Sequence, residues 1–138
     1  MPITFVPKPG GVLMCDFGPH PNDVVAPGVM HGPLAVLPEI HKNRPAVVVA
    51  APSVGLAIMV PLSTEAPRDV RAYHYCIPAK KYQFLDQSVD SWAKADLIEA
   101  VSYKRLDRCR VAGAYKITWL NPDDFQAILA CVKNALNL

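Results

Sequence analysis

Arg44 stands immediately before Pro45 at the mouth of an apolar run, Arg44–Ala51, and a hydroxyl pair, Ser63-Thr64, closes the next apolar run, Leu56–Leu62. Pro52-Ser53-Val54-Gly55 turns the chain between the two runs, so they are expected as adjacent antiparallel strands. The start of one then lies beside the end of the other, and spacing alone makes Arg44 and Ser63-Thr64 neighbours. A guanidinium is a planar fork that grips two oxygens of an oxyanion at once, and a hydroxyl beside it adds a further donor. Two readings of Arg44 follow: an ion pair with Asp16 or Glu39 that fixes the strand entrance, or a grip on an anionic ligand. For Ser63 and Thr64 the plain alternative is a pair of strand-end hydroxyls bonded to backbone.

Other groups able to do chemistry are fewer. His20, His31 and His41 lie in or beside a long loop and titrate near neutrality, with solvent exposure as their simplest reading. Residues 104–116 hold Lys104, Arg105, Arg108, Arg110 and Lys116 against Asp107 alone, a strip that either meets phosphates or forms a solvated face. Cys15, Cys76, Cys109 and Cys131 are scattered without a CxxC or Cys/His cluster, so they read as small buried hydrophobes, with no metal site.

The elements that must position these groups are short strands. With 138 residues, 51% of them hydrophobic and 19% charged, the chain reads as one ordered domain over 1–138, and its net charge is only +2. No apolar run reaches the ~18 residues that span a bilayer, and the proline-bearing start does not read as a signal peptide, so a cytoplasmic protein without a membrane span is expected. Gly11–Phe17 is an apolar strand that ends on a carboxylate, Asp16. Residues 18–38 carry five prolines and three glycines and form a long loop. Arg44–Ala51 is continuous enough to be buried on both faces. Ala72–Ile77 alternates as a half-exposed strand, and Ser91–Ala93, Ala100–Tyr103 and Val111–Gly113 read as shorter strand or turn segments. Asn121 is a helix N-cap with Pro122 in the first turn, and Phe125, Ile128, Leu129, Val132 and Leu136 recur at helical spacing, so Asn121–Asn137 is an amphipathic helix. Many short strands followed by one helix predict a mainly β fold, a small SH3-like barrel with a C-terminal α-helix.

The ordered set Gly11–Phe17, then Arg44-Pro45-Ala46-Val47-Val48-Val49, then Val60-Pro61-Leu62-Ser63-Thr64, with Arg105-Leu106 and Leu120–Phe125 further on, resembles the PemK/MazF toxins of type II toxin–antitoxin systems. That resemblance implies a barrel, usually a homodimer, which cuts single-stranded RNA without a metal or other cofactor and is silenced by an antitoxin chain. Carried onto matching positions, it makes Arg44 and Ser63 catalytic and Glu39 an acidic partner or general base. Asp16, Thr64, Lys80, Lys81 and Arg105 become candidates for holding RNA, with Tyr73, Tyr82 and Trp92 as stacking surfaces. Trp92 and Trp119 read more simply as core residues. The long 18–38 insertion before Arg44 departs from the family pattern. It leaves open a second class of function, a barrel without catalysis that binds protein or poisons gyrase.

Overall fold

The computed structural model describes residues 3–19, 40 and 42–138; Glu39, His20, His31, His41 and nearly all of the 18–38 loop lie outside them. Among the described residues, nine antiparallel strands are followed by one helix: β1 (Gly11–Asp16), β2 (Asn43–Ser53), β3 (Leu56–Ser63), β4 (His74–Ile77), β5 (Ser91–Lys94), β6 (Glu99–Ser102), β7 (Leu106–Val111), β8 (Ala114–Lys116), β9 (Thr118–Trp119) and α1 (Pro122–Leu136). The pairing order is β4-β5-β3-β2-β1-β7-β8, with β6 added to β3 and β9 to β1. The fold is mainly β with a C-terminal helix, as expected. Among the described residues the ladder curves like a barrel without closing.

The β2–β3 hairpin is the spine. Its β-branched residues suit a pleated, two-sided surface. Val47 and Val60 are register partners and face one core with Leu62, Ile128, Cys131 and Val132. Ala46, Val48 and Met59 face a second core with Leu13, Cys15 and Leu106. Burial on both faces is what a continuous apolar run requires. Register shifts between Val48 and Ala50, and again before Ser53, mark bulges that bend the hairpin. The bend lets β3 pair β6 through Leu56–Met59 and β5 through Leu62–Ser63. Pro61, which has no N–H to give, sits between those two pairings.

Asn121 caps α1, accepting a 2.8 Å bond from the Asp124 N–H, and Asn137 closes it in the left-handed conformation. Val111–Gly113 resolves into the end of β7 and a two-residue turn with positive φ at Ala112 and Gly113, the twist that closes a tight hairpin onto β8. One expectation fails. Trp119 is 48% exposed on the two-residue strand β9, not core, because β9 pairs only with the first residues of β1. Trp92 is half-buried.

Candidate active site

The hairpin register brings Arg44 to Ser63. Ala46 pairs with Pro61, and the same ladder carried two residues outward sets Arg44 opposite Ser63. Beyond them the row continues across the sheet, with Cys15 and Leu106 on one side of Arg44 and Trp92 and Cys76 on the other side of Ser63. Arg44 Nη1 donates to Ser63 Oγ at 3.4 Å, and the Glu65 N–H donates to the same oxygen at 3.1 Å. Ser63 is only 2% exposed. A hydroxyl has two lone pairs and one proton. Both lone pairs are used, so the proton is what Ser63 has left to give.

Burial pulls the Arg44 pKa below its ordinary value, and the negative charge of Glu65 pulls it back up. A guanidinium starts so far above neutrality that it stays charged. The cluster is therefore a half-buried cation, an oriented hydroxyl beneath it and an exposed carboxylate at its rim. Such a set can neutralise and orient an oxyanion. Glu65 was not singled out in the sequence. The signal was available: a hydroxyl residue at a strand end often accepts from the N–H two positions on.

The other predicted residues divide. Asp16 and Arg105 come together at the end of β1, where Arg105 Nη1 donates to the Asp16 carbonyl at 2.9 Å and the Asp16 carboxylate accepts from the Gly18 N–H at 2.9 Å. Asp16 is also the register partner of Asn43, the residue before Arg44. Thr64 is exposed directly beyond Ser63, and Lys80 is exposed on the β4–β5 connection. Lys81 and Tyr82 are drawn elsewhere. The Asp124 carboxylate, 2% exposed, holds Lys81 Nζ at 2.9 Å, the Tyr82 hydroxyl at 2.5 Å and the Tyr75 hydroxyl at 2.6 Å. This cluster pins the start of α1 to the sheet and to the β4–β5 connection. Tyr73 meets His74 edge to face at 4.7 Å. Glu39 and the three loop histidines lie outside the described residues.

Cys15, Cys109 and Cys131 are buried and Cys76 half-buried. Burial pushes all four thiols up, Cys15 to about 12, which makes them poor nucleophiles. Among the described residues no three His, Cys, Asp or Glu side chains cluster to hold a metal, and no helix is long and apolar enough to cross a membrane.

Residues 8–136 match the family model described as PemK-like, MazF-like toxin of type II toxin–antitoxin system. The uncharacterized protein YifN of Escherichia coli (strain K12) is 39% identical over 122 residues, covering 83% of this chain and 81% of YifN. An uncharacterized protein of Haemophilus influenzae is 34% identical over 123 residues, 86% of this chain and 80% of that one. Among solved structures, MazF from Deinococcus radiodurans aligns at TM-score 0.62 over 97% of this chain and 99% of its own, at 16% identity. An endoribonuclease in complex with its cognate antitoxin, from a mycobacterial species, aligns at 0.57 over 96% of each chain, at 18% identity.

Proposed function

The chain belongs to the PemK-like, MazF-like toxins of type II toxin–antitoxin systems, and from that premise we propose that it is a cytoplasmic endoribonuclease that cuts single-stranded RNA without a metal or other cofactor and is held in check by an antitoxin. The single observation that carries this reading is the Arg44–Ser63 contact, set by the β2–β3 register at the positions the family pattern reserves for it.

The reaction asks for three services. The 2′-hydroxyl loses a proton and attacks the adjacent phosphorus; the bond to the 5′ oxygen breaks as that oxygen takes up a proton; a 2′,3′-cyclic phosphate and a 5′-hydroxyl result. Between these states the phosphorus carries extra negative charge. The Arg44 fork meets that charge, binding two non-bridging oxygens at once. Ser63 acts chiefly by positioning: buried and held by the Glu65 N–H, it fixes the direction of the guanidinium and keeps one proton for a phosphate oxygen. Arg44 is a poor base at its pKa, so the 2′-hydroxyl proton is assigned to a carboxylate, Glu39, five residues before Arg44. Asp16 and Arg105, joined at the end of β1, and Thr64 and Lys80, exposed, extend the RNA path on either side. Lys81 joins that path only at the cost of its bond to Asp124. The working form is a homodimer, in line with the family pattern.

The test is cleavage of single-stranded RNA in EDTA. Wild type is expected to leave 2′,3′-cyclic phosphate ends, and Arg44→Ala to cut about 10²–10³-fold more slowly, the loss typical of a missing transition-state donor. Failure of the wild type to cut any RNA overturns the reading.

A further inference from the structure

A hollow of about 300 Å³ lies against the β7–β8 hairpin, lined in part by Asn43, Phe84, Asp107, Arg108, Arg110 and Tyr115. The strand register ties it to the candidate active site. Asn43 directly precedes Arg44 on β2, and Asp107 directly follows Leu106, whose partner Cys15 is also the partner of Arg44. Successive side chains on a strand point to opposite faces, so Asn43 and Asp107 alternate with Arg44 and Leu106, and the hollow lies around the end of β2 from the guanidinium, one residue along the backbone that carries it.

The chemistry inside is specific. Arg108 and Arg110 both lie over the Tyr115 ring, their guanidinium carbons 5.6 and 5.4 Å from its centroid. Arg110 and Tyr115 are register partners, brought face to face by the two-residue turn at Ala112-Gly113. Arg110 Nη2 donates to the Gly113 carbonyl at 3.3 Å, which uses one of its five N–H groups. Tyr115 remains 49% exposed, so the cluster is open to a ligand. Guanidiniums resting on a ring make a flat platform with donors along its rim. Phe84 contributes a second ring, and the Asn43 amide can give and accept a hydrogen bond.

Single-stranded nucleic acid is recognised by this combination: π surfaces for a base, guanidiniums for phosphate and stacking, and a polar side chain for the base edge. We propose that the hollow is a nucleotide subsite for the RNA strand whose phosphate sits at Arg44, with Arg108 and Arg110 on the backbone phosphate, the base against Tyr115 and Phe84, and Asn43 at the base edge. The identity of the ligand rests on the RNA-cleaving reading above. The subsite adds the contacts that choose which nucleotide flanks the cut.

The probe is a labelled, fully 2′-O-methylated single-stranded RNA, which lacks the attacking hydroxyl and so stays intact. Its binding to the full chain is followed by anisotropy across a range of salt. Arg108→Gln and Arg110→Gln each weaken binding and lower the slope of log affinity against log salt by about 0.7, the value for one phosphate contact on a single strand. Tyr115→Ala weakens binding about tenfold, as loss of a stacked base does. Arg110→Lys keeps the salt slope yet still binds more weakly, because it keeps the charge and loses the plane. Thermal melting of each variant checks that substitutions at half-buried Arg108 and exposed Arg110 and Tyr115 leave the fold intact. If wild type cuts RNA but the variants bind the probe with unchanged affinity and slope, the subsite is overturned and the nuclease reading stands. If wild type cuts nothing while the variants lose the probe as described, the subsite stands and the nuclease reading falls. Variants that keep the probe but lose the antitoxin chain make the hollow a protein surface, which also overturns the subsite.

Discussion

The Asp124 cluster and the Arg44–Ser63–Glu65 cluster each set a charge into the sheet, yet they are built for different ends. Asp124 is 2% exposed, and two tyrosine hydroxyls and an ammonium reach it at 2.5–2.9 Å. Nothing more can be added to it. Arg44 is half-buried, its bond to Ser63 is long at 3.4 Å, and the carboxylate that acts on its charge stands on the exposed rim. Short, saturated and buried bonds make a clasp that holds α1 to the sheet. A long bond to a buried hydroxyl that still has a proton makes a looser contact, with a donor left at Ser63 for a ligand. The contrast separates a polar cluster that holds the fold from one suited to meet a ligand.

The largest expected effect would break that contrast if it failed. Asp124→Ala leaves Lys81 and both tyrosine hydroxyls without their acceptor and should cost about 3 kcal/mol of stability, toward the low end for a broken buried pair because Lys81 reaches water; urea unfolding measures it. Arg44→Ala, the cleavage variant described above, should lower unfolding stability by only about 1 kcal/mol, the net worth of a partly buried hydrogen bond. Equal stability losses in the two variants would make both clusters structural. Ser63→Ala sharpens the comparison: about tenfold slower cleavage and about 1 kcal/mol less stability, from a released guanidinium and an orphaned Glu65 N–H, with Ser63→Thr retaining most of both.

The clasp contributes to the pH dependence of stability at both extremes. Burial opposes ionisation of Asp124, but the hydrogen bonds from Tyr75, Tyr82 and Lys81 more than offset it and hold the carboxyl below its ordinary value. A depressed carboxyl contributes stability that is present above its unfolded pKa, near 4, and is lost as pH falls through the folded value. The phenols run the other way. The Tyr75 phenol, through its bond to Asp124, and the Tyr82 phenol, through burial and its own bond to Asp124, are pushed up to about 12. Their contribution is full below pH about 10 and fades as pH climbs toward about 12. Melting temperatures of wild type should fall at both extremes. Asp124→Asn should flatten the acid limb and reduce the alkaline one, the smallest of the expected effects.

How much of this was legible in the sequence varies with the range of the contact. The Arg44–Ser63 pairing could be read because a tight turn between two apolar runs fixes antiparallel register, and register fixes neighbours. The helix could be read because Asn121, Pro122 and the 3.6-residue spacing are local signals, and the structure places its caps at Asn121 and Asn137. For Lys81 and Tyr82, a lysine pair and a tyrosine in a loop carry no mark of their structural partner. That partner, Asp124, lies 42 and 43 residues away in the chain. The residue type of Trp119 favours burial, whereas the shortness of β9 leaves it 48% exposed.

By itself, then, the sequence determined the strand hairpin, the capped helix, the place of Arg44 beside Ser63 and the family pattern that contains them. Each depends on residues close in the chain or on turn chemistry that propagates a register. Tertiary structure alone decided which charges are spent and which are presented. It closed Asp124 with groups from β4 and from the β4–β5 connection, and stacked two arginines on Tyr115 beside Asn43 and Phe84. Those contacts join positions that no local propensity links, and only the folded sheet brings them within bonding distance.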